Sequence, residues 1–229
     1  MPLPETQSRL PKVLARDQVY QQLRFWLVEG VLKPGEKLNH HDIGKRLGFS
    51  AIPIREACMR LHYEGFVEMA HSRWTRVVPL NIRKTFEIRQ TAEALELYAL
   101  ELAMPLLQAA DLRRLRLLNQ DLQEALESNR TREALFADRS FHAVWVDRSP
   151  NRELVRQLAD LKDHLQIAET ELFGNSVLAL TEVSEHEGII NGLAHGDTVR
   201  VAHLLRDHWH KQLVRLQEQN VSETGSDRK

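Results

Sequence analysis

Beyond Pro79 the chain carries almost no signature of β-structure. From about Ile82 to Glu218, Leu, Ala, Glu, Gln and Arg recur at helical spacing, β-branched runs are absent, and breaks fall at Pro105, Ser149-Pro150, Gly174-Asn175 and Gly196. Such a stretch folds as a bundle of about six helices and excludes a sheet-based second half. The first 80 residues differ, with short apolar runs punctuated by Gly and Pro. A chain of 229 residues has room for two domains. The boundary is expected near Pro79, with domains at 12–80 and 81–219, a loose proline-rich arm at 1–11 and a polar, disordered tail at 220–229.

Within the first domain, apolar residues from Val13 to Leu27 recur at near-helical spacing and stop at Gly30. Lys33-Pro34-Gly35-Glu36 is a turn, because Pro presets its first corner and Gly tolerates the second. Asn39 is placed to cap a helix through Leu47, and Gly48 ends it. Ser50 is placed to cap a third helix to about Glu64, with Pro53 in its first turn. Two β-prone runs, 66–70 and 75–78, flank His71-Ser72-Arg73-Trp74 as a hairpin. Three helices and a hairpin, with a Gly-containing turn before the third helix, describe a winged helix-turn-helix. The fold class is therefore mainly α: a winged helix-turn-helix followed by an all-α helical bundle.

Charge supports this division of labour. Residues 1–80 hold 12 Lys and Arg against 8 Asp and Glu, whereas the remainder is acidic. Only the first part suits a polyanion. No stretch approaches the roughly 18 apolar residues of a membrane span, and no secretory leader is expected. The single cysteine, Cys58, permits no intramolecular disulfide and fits a reducing cytoplasm. Within its helix it reads as a small packed residue.

In a winged helix-turn-helix the third helix enters the major groove by its N-terminal end. Arg55, one turn in, can reach a guanine edge with both prongs of its guanidinium. Ser50 can offer a hydroxyl to phosphate, while Arg73 and Arg76 lie on the wing. Lys45 and Arg46 on the second helix add positive charge that serves either the backbone or a solvated face.

These residues also carry a resemblance. The runs Leu32-Lys33-Pro34-Gly35-Glu36-Lys37-Leu38, Leu47-Gly48-Phe49-Ser50, Pro53-Ile54-Arg55-Glu56-Ala57 and Leu61-x-x-Glu64-Gly65-Phe66-Val67 resemble the GntR family of regulators in order and spacing. The chain departs from that pattern where Ala51 and Ile52 replace an arginine and a threonine that commonly face DNA. It departs again where Trp74 follows Arg73 in place of Gly, and in His40-His41-Asp42-Ile43-Gly44. The resemblance implies an operator read by Ser50, Ile52 and Arg55, with Ala51, Ile52 and Trp74 either retargeting or degrading that reading.

Eleven histidines, seven of them beyond residue 140, are the other unusual feature. Asp138 and His142 are four apart on one helix and share a face. Glu185-His186 and Asp207-His208 sit in later helices. One carboxylate and three imidazoles from three helices could close on a divalent ion with positions left open. By spacing alone, Asp138–His142 is equally an ordinary hydrogen-bonded pair. His164 is a further candidate to contact a ligand, whereas His195, His203 and His210 read as solvated.

The runs Asp138-x-x-Phe141-His142, Glu185-His186-x-x-Ile189, Gly196-Asp197 and Arg206-Asp207-His208 resemble the FCD-type ligand domain of the FadR subgroup. That resemblance implies that Asp138, His142, His186 and His208 hold a divalent metal, zinc first and nickel or manganese as alternatives. It also implies that Arg89 lies near a small organic acid effector. The function implied is a non-enzymatic, homodimeric transcription regulator, a repressor by family habit, whose binding to a double-stranded DNA operator responds to that acid. The rival is a metal-dependent hydrolase with Glu185 or Glu187 as general base.

Overall fold

A computed structural model of the chain describes residues 14–70, 73–173 and 180–226. The expected arm at 1–11, His71-Ser72, the Gly174-Asn175 break and the last three residues of the tail lie outside these. The chain divides into two compact units, Met1–Leu80 and Asn81–Lys229.

In the first unit α1 (Ala15–Val28) buries Val19, Tyr20, Leu23 and Leu27, one helical stripe. Lys33 to Glu36 make the expected turn, closed by Glu36 N–H donating to Lys33 O, with Gly35 at φ +80°. Asn39 caps α2 (His40–Leu47) by accepting from the N–H groups of His41 and Asp42. Gly48, at φ +73°, ends it. A third helix, α3 (Ala51–Tyr63), buries Ile54, Ala57, Cys58 and Leu61 and leaves Ile52, Arg55 and Glu56 exposed. Ser50 occupies the cap position of α3, but its side chain makes no cap hydrogen bond. The reason is Pro53: it sits at the third helical position, where it lacks the N–H that a capping serine takes.

β1 (Val67–Ala70) and β2 (Trp74–Val77) pair antiparallel, Val67 opposite Val77 and Ala70 opposite Trp74. The segment after the Lys33–Glu36 turn adds to the far side of β2. Val77 N–H donates to Glu36 O at 2.9 Å, and Leu38 N–H to Thr75 O at 2.8 Å. The wing is thereby anchored along its length to the turn that precedes α2.

Among the described residues the second unit holds six α-helices: α4 (Ile82–Ala103), α5 (Ala109–Glu127), α6 (Thr131–Arg148), α7 (Arg152–Phe173), α8 (Leu180–Ala194) and α9 (Thr198–Ser226). Asn81 caps α4 through Lys84 N–H. The break between α5 and α6 carries no Gly or Pro. Asn129 supplies the left-handed residue there, at φ +54°, a conformation that Asn tolerates better than most residues. Phe141, Trp145, Leu158, Ile189, Ile190, Val201 and Leu205 are buried in a shared core. Full burial of each large side chain contributes about 1.5–3 kcal/mol. That gain helps offset the cost of polar groups held within the same unit.

The polar tail expected from Asn220 is a correction. Helix α9 continues to Ser226. Extending a formed helix adds a hydrogen bond for each residue ordered, and the Gln-Glu-Gln run at 217–219 is made of helix formers, so polarity alone does not end it.

Candidate metal centre and DNA-reading face

Helix α6 presents Asp138 and His142, α8 presents His186 and α9 presents His208. One potential ligand atom from each lies within 4.8 Å of all the others. The imidazole centroids are 5.0–5.4 Å apart. Asp138 Oδ1 stands 3.5 Å from His186 Nε2 and 3.9 Å from His142 Nε2.

Each imidazole is held from behind through its other nitrogen. His142 Nδ1 faces Glu96 Oε1. His186 Nδ1 lies 3.2 Å from Asn119 Oδ1, and His208 Nδ1 lies 2.8 Å from Glu185 Oε2. An oxygen acceptor at each Nδ1 keeps the proton there and leaves the Nε2 lone pair for the centre. The supports are themselves fixed: Asn119 donates to Val183 O, Glu96 holds Lys162 Nζ at 2.7 Å, and Glu185 holds Lys211 Nζ at 3.1 Å. Phe141 stacks face to face on His186, 3.7 Å between centroids, which sets that ring's plane.

At His186 and His208 electrostatics favour the neutral imidazole, the form that binds a cation. Burial, then repulsion from His208 and His142, pushes His186 well below the ordinary histidine range. Burial likewise lowers His208, against the opposing pull of Glu185. Burial alone would raise Glu96, but His142 and Lys162 outweigh it and hold the carboxyl at about 2. His186 Nε2 and Asp138 Oδ1 are buried and have no hydrogen-bond partner among the described residues. A buried polar atom without a partner costs about 1–3 kcal/mol. Two such atoms directed toward one point fit a bound cation, and the three-nitrogen, one-oxygen donor set suits a zinc-type ion.

A cavity of about 70 Å³ adjoins the centre, lined by Asp138, His142, Arg89, Trp209, Gln212 and Lys162, with Arg139, Gln166, Leu135 and Leu165 completing the wall. Arg89 is buried, lies 4.8 Å from the Trp209 ring centroid and donates to Gln212 Oε1. The Gln212 amide nitrogen lies 3.1 Å from His208 Nε2. His164, the other residue expected to meet a ligand, does not line this cavity. On α7 the lining positions are 162, 165 and 166, and helical geometry turns residue 164 away from their shared face.

In the first unit Ser50, Ile52 and Arg55 are all exposed. Ile52 is 62% exposed despite being apolar. Glu64, just beyond the end of α3, accepts from Tyr20 at 2.8 Å and Arg60 at 3.0 Å. Lys45 and Arg73 are exposed. Two other expected contacts have partners within the unit. The guanidinium of Arg46 lies 5.1 Å from the Trp26 ring centroid, and Arg76 pairs with Glu68 at 3.1 Å while covering Trp74. Cys58 is buried, and desolvation pushes its thiol up to about 12, in keeping with a packing role.

Residues 15–77 match the family described as bacterial regulatory proteins, gntR family, and residues 87–211 match the FCD domain, more than half of the chain. The chain belongs to the GntR family, with an FCD domain.

Among relatives of this GntR-family regulator, the HTH-type transcriptional regulator McbR of Escherichia coli (strain K12) is 36% identical over 110 residues, 48% of this chain and 50% of that one. The HTH-type transcriptional regulator YdhC of Bacillus subtilis (strain 168) is 32% identical over 107 residues, 47% of this chain and 46% of its own. The chain thus spans about half the length of the curated relatives it matches. The solved structure of E. coli McbR/YncC superposes with a TM-score of 0.77 at 25% identity, covering 91% of this chain and 100% of that one. A GntR regulator from Rhodococcus sp. RHA1 has a TM-score of 0.76 at 17% identity, covering 89% and 97%, a likeness of fold alone.

Neither candidate general base of the hydrolase alternative is placed for that role. Glu185 is bonded to His208 and Lys211, and Glu187 is exposed beside Asn191. Neither lines the cavity. Sequence reasoning missed the supports Glu96 and Asn119 and the lining residues Arg139, Lys162, Gln166 and Gln212. A periodicity signal existed for two of them: Glu96 is two turns from Arg89, and Gln212 is one turn from His208. Asn119 gave none. Among the described residues no helix is long and apolar enough to cross a membrane.

Proposed function

We propose that this regulator grips a two-fold DNA operator as a homodimer and represses from it, and that a small organic acid bound at a divalent metal centre changes that grip. The observation that carries the reading is the convergence of Asp138 with three histidines whose Nδ1 atoms are each backed by an oxygen acceptor. A divalent ion held there, zinc before nickel or manganese, would supply a Lewis-acidic anchor for a carboxylate. Arg89, steadied by Trp209 and Gln212, would take the remaining oxygen through charge-assisted hydrogen bonds.

On the DNA side, Arg55 reads a guanine edge and Ser50 gives to phosphate a hydroxyl that makes no cap hydrogen bond. Ile52 has only apolar surface to offer, and its complement in the major groove is a thymine methyl. Lys45 and Arg73 serve the backbone, with Arg46 and Arg76 contributing charge from their tethered positions. The acid shifts operator affinity only by as much as it prefers one arrangement of the dimer.

The test is metal analysis of protein never exposed to chelator, followed by operator titration with and without citrate as a probe acid. About one divalent ion per chain and a citrate-dependent change in operator Kd are expected. Metal-free protein that responds to citrate as before would defeat the metal reading.

A further inference from the structure

Three cations line the cavity beside the metal centre, each from a different helix: Arg89 from α4, Arg139 from α6 and Lys162 from α7. Each is braced by a neighbour. Arg89 rests on Trp209 and donates to Gln212, Arg139 donates to Asp163 and Gln166, and Lys162 is drawn to the fully buried Glu96. A guanidinium has five N–H donors and an ammonium three, so at Arg139 and Lys162 these contacts leave donors for a ligand. Side chains already braced lose little freedom when a ligand arrives.

Counting oxygens gives the ligand class. A monocarboxylate has two, and one on the ion with one on Arg89 exhausts them. Arg139 and Lys162 would then face the cavity with no ligand acceptor. Among the lining residues the single carboxylate is Asp138, itself a candidate metal ligand. Leu135, Leu165 and Trp209 offer apolar wall for a short carbon link.

We propose that the effector is a compact dicarboxylate whose first carboxylate meets the ion and Arg89 and whose second meets Arg139 and Lys162, which select it over a monocarboxylate of equal length. This rests on the metal-centre reading above.

The experiment is calorimetric titration of the full chain, loaded with zinc and assayed for zinc content, with succinate, butyrate and inorganic phosphate. Succinate should bind at least about tenfold more tightly than butyrate, the scale of one charge-assisted contact. Arg139→Gln and Lys162→Gln should each reduce the succinate-over-butyrate preference several-fold, with zinc content assayed for each variant. Lys162 neutralises a buried carboxylate, so its variant risks misfolding. Arg139, 37% exposed at its side chain, provides the tractable substitution, and the wild-type comparison needs none. Equal affinity for the two acids, tighter binding of phosphate, no binding of either acid to zinc-loaded protein, or a preference that survives both substitutions would overturn the dicarboxylate assignment while the metal site stood. Protein that takes up no zinc would overturn both.

Discussion

At the residue scale the DNA-reading claim rests on few atoms. Arg55 is exposed one turn into α3 and has the donor geometry for guanine. Arg55→Ala should weaken operator binding by about 1–3 kcal/mol and binding to random duplex by less, read by anisotropy at fixed salt. Equal losses on both duplexes would reduce Arg55 to a phosphate contact. Ile52 gives an independent check. Replacing with uracil the thymine that its substitution identifies deletes one methyl, worth about 0.8 kcal/mol or roughly fourfold in Kd. An unchanged Kd would mean that Ile52 touches no methyl, and would favour a regulator whose base reading has decayed at Ala51 and Ile52.

At the scale of elements, the α2–α3 turn and the wing attachment are the vulnerable points. A Cβ built on Gly44 would stand 2.8 Å from Phe49 O and 3.1 Å from Ile54 Cδ1. The first obstacle is backbone and has little freedom to move. Gly44→Ala should therefore cost about 1–3 kcal/mol, seen as a lower denaturation midpoint, with operator affinity falling as α3 shifts. His40, at the start of α2, is 3.0 Å from Thr75 Oγ1 on β2 and joins helix to wing. Burial lowers its pKa below the ordinary value of 6.5. The unfolded chain therefore takes up the proton first as pH falls. Stability from neutral His40 is present above pH 6.5 and is lost as pH falls from there toward the folded pKa. Thermal midpoints of wild type and His40→Gln, which cannot titrate, should converge or cross as pH drops from 7.5 to 5.5. Parallel curves would show that His40 does not titrate between the two states.

For the whole molecule the variable to test is the proposed ion. Binding to the folded state alone stabilises by about 2.7 kcal/mol at a hundred times Kd, so zinc should raise the unfolding temperature of stripped protein. His186→Ala should abolish most of that rise. In metal-free protein the same substitution relieves the buried Nε2 but removes the ring stacked on Phe141 and the donor facing Asn119 Oδ1, so stability should fall as in an ordinary core truncation, by about 2–5 kcal/mol. If zinc shifted the variant as much as wild type, the ion would be sitting elsewhere.

What could be read from residues alone was whatever depends on local periodicity. The buried stripe of α1, the Asn39 cap, the Gly48 stop and the hairpin pairing are short-range consequences of the chain. Asp138 and His142 shared a face by spacing. Local rules failed where a second residue intervened: Pro53 removed the N–H that Ser50 would have bonded, and Asn129 ended α5 without Gly or Pro. The bundle's packing alone decided that His186 and His208 reach Asp138 and His142, that Glu96, Asn119 and Glu185 orient the rings, and that Lys162 rather than His164 meets the cavity. The supports lie 23 to 67 positions from the rings they orient, distances over which no periodicity carries information.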